Sequence, residues 1–272
     1  MSRSTRHGPT ELREFVAAAD APDRSLALVN RTKPRPVGRM LEELFDDQPI
    51  GVREVSLPDE EDDAVYLLDD GEVVAASGLS AFEESILLVN SDIYVTGARG
   101  LEEADLPAAI EGLDGCRFTL RGYPESDREK LLLIAVSRHI ERLALDGGGR
   151  LRASFQRLSR IRDERGTRRV YDRLGGTGTD VHVYGVPDWT PPPEMGVTMH
   201  GGWSDDFRDA WFVVRVPEGA ADGAVEPDRD ADAEGRYAAL VAVEDEPRTW
   251  EGFWTFDPGC VAEIDAYVAR EL

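Results

Sequence analysis

An α+β fold, built as an α/β sandwich, is predicted for this 272-residue chain, and three observations predict it. Helical and strand-like apolar periodicities alternate through the first hundred or so residues. Five strand-like runs then follow one another in the second half, with the look of an antiparallel sheet. Amphipathic helices precede and follow those runs. The chain is accordingly divided into an α/β N-terminal module, 1–113, and a unit over 114–272 whose mainly antiparallel sheet is flanked by helices.

Thr10 is placed to cap a helix in which Leu12, Phe15, Val16 and Ala19 recur at helical spacing, and an apolar strand follows over Leu26 to Val29. Pro36 opens a second helix with a stripe of Val37, Met40, Leu41, Leu44 and Phe45. Strands are expected at 51–57 and 64–68, separated by the acidic run Asp59 to Asp63. Asp69-Asp70-Gly71 turns the second into another strand at 72–76, since Asp-Gly between apolar runs signals a hairpin. Ser80 and Glu83 form a capping box for a helix ending near Val89, a short strand spans Asp92 to Thr96, and a helix with Pro107 in its first turn covers 106–113.

The second half opens with a strand near Arg117 to Arg121 and a turn at Gly122-Tyr123-Pro124. Ser126 and Glu129 make another capping box. Leu132, Leu133, Val136, Ile140 and Leu143 continue as a helical stripe until Gly147-Gly148-Gly149 stops it. Residues 151–158 fit either strand or helix, and Val170, Tyr171 and Leu174 mark a helix ending at Gly175-Gly176. Strands follow at Val181–Tyr184, Val197–His200, Trp211–Val216, Tyr237–Val243 and Trp250–Phe256. The stretch Glu218 to Gly235, with seven acids against Arg229, is too polar to pack and reads as an exposed hairpin extension. Asp257-Pro258 caps a last helix that carries Val261, Ile264 and Val268 on one face.

Composition narrows the function classes. The chain carries 31 basic and 54 acidic residues, a net charge of −23, and only Lys33 and Lys130 among its bases are lysine. That balance suits a salt-loving cytoplasm, where a Debye length of about 3 Å at molar salt screens self-repulsion. No apolar run reaches the ~20 residues of a membrane span, and the start lacks a secretory core, so a cytoplasmic protein is expected. Cys116 and Cys260 lie far apart and read as small hydrophobes, without metal-ligand spacing.

No phosphate-binding glycine motif precedes a helix; Gly-Gly-Thr-Gly at 175–178 follows one and reads as a helix stop. No GxSxG elbow or HExxH pattern occurs, and His7, His139, His182 and His200 are scattered along the chain. No catalytic residue, metal site or particular cofactor is therefore indicated.

Charge distribution says more. From 115 to 173 there are fifteen bases against eight acids, net +7, which leaves −30 for the rest. Arginine forks there suit a phosphate or carboxylate ligand, a nucleic acid or an acidic partner, or else pair with carboxylates of the N-terminal module and join the two halves. In the run Trp250–Phe256, Trp250, Gly252, Trp254 and Phe256 share one strand face and Phe253 takes the other, a pattern of burial on both sides.

Residues from about 127 to 257 resemble the DICT domain, regarded as a sensory domain of diguanylate cyclases and two-component systems. The matching pieces are VSRHIERLAL (136–145), RASFQRLSRI (152–161), VYDRL (170–174), VHVYG (181–185), DAWFVV (209–214), YAALVAVE (237–244) and WEGFWTFDP (250–258). With SLALVNRTKPRP (25–36) and LLVNSDIYVTG (87–97), the chain is also similar to stand-alone DICT proteins of halophilic archaea. The resemblance implies a non-catalytic cytoplasmic input module that binds a small ligand or a signalling partner. That partner would be a separate histidine kinase or regulator, since no kinase or cyclase segment accompanies the domain. It also favours a strand over 151–158.

Together with the arginine segment, this makes Phe155, Gln156, Arg157, Arg160, Trp211 and Trp254 the candidate ligand- or partner-binding residues. The competing reading is a nucleic-acid-binding regulator, a helix-turn-helix built from 126–145 and the arginine-rich 150–173; the acidic remainder opposes it. A third, an enzyme on a small anionic metabolite, rests on the same arginines.

Overall fold

A computed structural model describes residues 9–19, 23–34, 41–42, 45, 48–85, 105–121, 130–219 and 234–272. The fold is α+β, with two mixed sheets. The smaller consists of β1 (Arg24–Val29), β2 (Gly51–Val55), β3 (Ala64–Asp69) and β4 (Glu72–Gly78) in the order β2-β1-β3-β4. β2 runs parallel to β1, and the other pairings are antiparallel. The β3–β4 hairpin turns through Asp70 and Gly71, both at positive φ (51° and 85°), the geometry for which Asp-Gly is suited.

The larger sheet contains β5 (Phe118–Arg121), β6 (Arg150–Arg157), β7 (Asp180–Val186), β8 (Thr198–Gly201), β9 (Ala210–Val216), β10 (Ala238–Glu246) and β11 (Thr249–Thr255). Their order is β5-β11-β10-β9-β6-β7-β8. Pairing is antiparallel from β5 to β6, and β6, β7 and β8 are parallel. Parallel neighbours need crossovers, and the β6–β7 crossover holds two helices. The helices are α1 (Leu12–Ala18), α2 (Ala108–Glu111), α3 (Lys130–Gly147), α4 (Ser159–Asp163), α5 (Arg165–Leu174), α6 (Asp205–Arg208) and α7 (Pro258–Glu271), and residues 79–85 are also helical.

Strand alternation assigns the two faces of the large sheet to separate cores. Leu151, Ala153, Val181, Val213, Leu240 and Trp254 point inward, onto Val136 and Ile140 of α3, Leu174 of α5, and Leu26, Leu28 and Leu67 of the small sheet. Phe212, Val214, Ala239, Val241 and Phe253 point outward, onto Leu12, Phe15 and Val16 of α1 and Val261, Ile264 and Val268 of α7. The aromatic strand is thus buried on both sides, as its pattern predicts. Arg24 ties β1 to the carbonyls of Gly112 (2.7 Å) and Asp114 (3.0 Å), and Arg236 reaches Glu111 at 2.9 Å, so polar links run beside the apolar ones.

Local differences from expectation have local causes. Glu11, not Thr10, occupies the N-cap of α1, while the Thr10 hydroxyl donates to Glu14 Oε1 at 2.6 Å. Ser80 lies inside its helix, which begins at residue 79, and the end expected near Val89 falls outside the described residues. The same holds for Pro36 to Met40, Asp92 to Thr96, the Ser126–Glu129 box and most of Glu218–Gly235. Leu41 and Phe45 are described, and both are buried in the inner core. α2 is shorter than the predicted 106–113, α4 is an unpredicted turn after β6, and 150–157 is a strand. At α7 the cap is as expected, with Asp257 Oδ1 accepting from Cys260 N at 2.8 Å.

The Gly175-Gly176 stop has a packing reason as well. A Cβ on Gly175 would lie 1.8 Å from the Met195 carbonyl oxygen. Gly175→Ala must therefore separate two backbones and should cost about 3 kcal/mol, the upper end for overpacking, read as a lower urea midpoint. An unchanged midpoint would show that the crossing is not tight.

Candidate functional site

β6 departs from regular pairing at its end. Its register with β7 shifts between Ser154 and Arg157, a bulge that brings Gln156 to φ 51°. A non-glycine residue at positive φ is held there only by its surroundings. Gln156 is 7% exposed, its Nε2 donates to the Ala210 carbonyl at 3.2 Å, and its buried Oε1 has no hydrogen-bond partner among the described residues. Ser154 Oγ donates to the same carbonyl at 3.1 Å and accepts from Phe212 N at 2.7 Å, which joins the bulge to the start of β9.

The candidate residues divide at this point. Phe155 is half-buried and meets the Tyr171 ring edge-on at 5.0 Å. The Tyr171 hydroxyl donates to Glu141 at 2.9 Å, and burial with that carboxylate holds it well above the usual phenol range. Glu141 also pairs with Arg138, which donates to Thr167 at 3.1 Å. Arg157 is exposed and 3.8 Å from Asp188. Burial works against the Asp188 carboxylate, yet hydrogen bonds from the Ser159 amide and hydroxyl keep it below its ordinary range. Arg160 is half-buried on α4. Trp211, also half-buried, stands two residues before Val213, the partner of Ala153, and so shares the strand end with Phe155. Trp254 does not: it is 1% exposed in the inner core, its ring 5.5 Å from that of Phe118.

A second polar group lies on the outer face of β6, β7 and β8. Arg150 and Arg152 both bind Asp265 of α7, at 2.5–3.1 Å and 2.7 Å. Arg152 also donates to the Tyr184 hydroxyl at 2.6 Å. Burial raises that phenol's pKa, with Arg152 opposing it. The Tyr184 ring stacks on His200 at 4.4 Å, and His200 Nε2 lies 2.8 Å from His182 Nδ1, whose own Nε2 is 3.0 Å from Asp180. The two histidines stand apart in sequence, and the parallel β7–β8 register, which opposes Tyr184 to His200, brings them together. The alternation of His182 with Val181 and Val183 is the signal the sequence offers, and only the strand pairing gives it meaning.

Among the described residues Arg142 reaches Asp105, whereas Arg138, Arg150, Arg152, Arg162 and Arg168 pair within their own half. The helix-turn-helix reading fails on topology, because 150–157 is an interior strand between β9 and β7 and cannot enter a major groove. Cys116 and Cys260 are free, and burial raises both thiol pKa values, that of Cys260 to about 12. Among the described residues no helix is long and apolar enough to cross a membrane, and no group of three His, Cys, Asp or Glu could hold a metal ion.

Residues 118–222 match the DICT family, described as a sensory domain in diguanylate cyclases and two-component systems. The match includes the β6 bulge, all of the arginine segment but Arg117, and both histidines, and it ends before YAALVAVE and WEGFWTFDP. No curated protein matches the chain. Among solved structures, the crystal structure of polyphosphate kinase from Porphyromonas gingivalis is similar at 10% identity and a TM-score of 0.31. The likeness covers 94% of this chain and 47% of that one, so the chain spans about half the length of that protein.

Proposed function

We propose that the protein is a non-catalytic, cytoplasmic sensory module. In this reading 114–272 is the sensing unit, 1–113 is an α/β module packed on it, and the output passes to a separate histidine kinase or regulator. Ligand or partner engages the strand end formed by Phe155, Gln156, Arg157, Arg160 and Trp211. One observation carries the reading: the strained, buried Gln156, whose Oε1 accepts from no described residue. A buried acceptor left open costs about 1–3 kcal/mol, so an N–H or O–H group that reaches it gains that much on binding. Exposed Arg157 beside it suits an anionic substituent on the same molecule or segment. Binding that relaxes the bulge favours one arrangement of β6 over another, and differential affinity of this kind is what a sensor requires.

Native mass spectrometry of protein purified in high salt provides the test. The expected result is a retained mass that Gln156→Ala and Arg157→Ala each reduce at least about tenfold in occupancy, a loss of about 1.4 kcal/mol, with the fold intact. A retained mass indifferent to both substitutions would overturn the site. A bare chain that captures a defined kinase through Arg157 would identify the site as a partner surface.

A further inference from the structure

The histidine pair on β7 and β8 imposes its own proton arithmetic. A carboxylate only accepts, so His182 Nε2 carries a hydrogen and donates it to Asp180 across 3.0 Å. The 2.8 Å contact between His182 Nδ1 and His200 Nε2 then holds one hydrogen, never two. In the neutral pair that hydrogen sits on His200 Nε2. One added proton, on His182 Nδ1, preserves the contact, because His200 moves its own hydrogen to Nδ1 and Asp180 balances the charge. A second added proton sets N–H against N–H, and the contact must open.

We infer that His182 and His200 form a proton-binding site whose doubly protonated state unlatches β8 from β7, so that acid is an input this module reads. This goes beyond the reading of the β6 bulge and does not rest on it. Among the described residues β8 is an edge strand, paired only to β7, with Thr198, Met199 and Gly201 exposed and Trp203, two residues beyond its end, 67% exposed. His200 is therefore the side chain that pins this strand inward, by its stack on Tyr184 and its bond to His182. Tyr184 continues through Arg152 to Asp265, so release at β8 reaches α7.

The surrounding charges separate the two protonations. β6 presents Arg150 and Arg152, α7 presents Asp265 between them, and β7 presents Asp180 and Tyr184. α6, packed on β7, carries Asp205, Asp206 and Arg208, but Asp205 is paired with Arg208 and Asp206 with Tyr267. Burial, then His182 and Arg152, hold His200 below the ordinary imidazole range, with Asp180 pulling the other way. The sign follows: the folded state takes up this proton less readily than the unfolded chain, so the latch is complete above about pH 6.5 and is lost as pH falls.

The test is imidazole-detected NMR on the full chain from pH 8 to 4.5 at constant salt, with amide hydrogen exchange followed over Thr198–Gly201. The expected result is that the His200 proton is the second of the pair to be taken up, below the ordinary imidazole range, and that its uptake depends on His182. The ring-current shift of His200 from Tyr184 should vanish in the second step, where β8 exchange rises at least about tenfold. His182→Gln should move the His200 step to higher pH, and the milder Asp180→Asn should move it to lower pH. Independent single titrations indifferent to both substitutions would overturn the proton site. Coupled titration without faster β8 exchange would overturn the latch. Retention of a bound mass at the β6 bulge is a separate readout, so each proposal can fail alone.

Discussion

Asp265→Ala should lower stability by about 3–5 kcal/mol, the cost of leaving a buried charge without its partner. The two arginines it binds differ in their recourse. The Arg150 side chain is 37% exposed and can turn its guanidinium to water. Arg152 is 8% exposed, on an interior strand beneath α7, and keeps only the Tyr184 hydroxyl. Arg150→Ala alone should therefore cost no more than about 1 kcal/mol, as for a solvent-reachable pair. Joint replacement by Arg152→Met and Asp265→Leu should recover most of the loss, because burying two charges costs desolvation that apolar packing avoids. Guanidinium titrations of the four proteins at one salt concentration measure all of this. A loss below about 1 kcal/mol for Asp265→Ala would show the triad to be hydrated rather than buried.

How far the sequence reveals this molecule depends on the range of the interaction concerned. Asp257-Pro258 announced the start of α7 because an N-cap is made between residues three apart, and the hairpin at Asp70-Gly71 is equally local. In β6 the alternation of Leu151, Ala153 and Phe155 with Arg152, Ser154 and Gln156 has strand period, yet the polar set is buried rather than solvated. What reverses the expectation is Asp265, more than a hundred residues away, which supplies the countercharge. The His182–His200 contact depends in the same way on parallel register across an intervening loop. α4 has no apolar stripe to announce it, only the buried Ile161. The excess of arginine over 115–173 was visible in composition, but its partners were not, since pairing is decided by which carboxylates the fold brings near.

Trp254 separates packing from binding. The residue lies on the inner face, and the register Trp254–Leu240–Val213–Ala153 puts it three strands from β6, about 14 Å at ordinary strand spacing. Trp254→Ala should cost about 3–5 kcal/mol through the cavity left against Phe118 and α3. Trp254→Phe should cost less than about 1.5 kcal/mol, because it keeps most of the volume. The indole Nε1 it removes is buried with no acceptor among the described residues, so no hydrogen bond is forfeited there. In both variants the folded fraction should keep whatever mass the wild-type chain retains. Thermal unfolding with native mass spectrometry on the same samples decides the point. If Trp254→Phe stays as stable as the wild type but loses the retained mass, the indole N–H is itself a ligand contact, and the recognition site must extend through the sheet interior instead of ending at the β6 bulge.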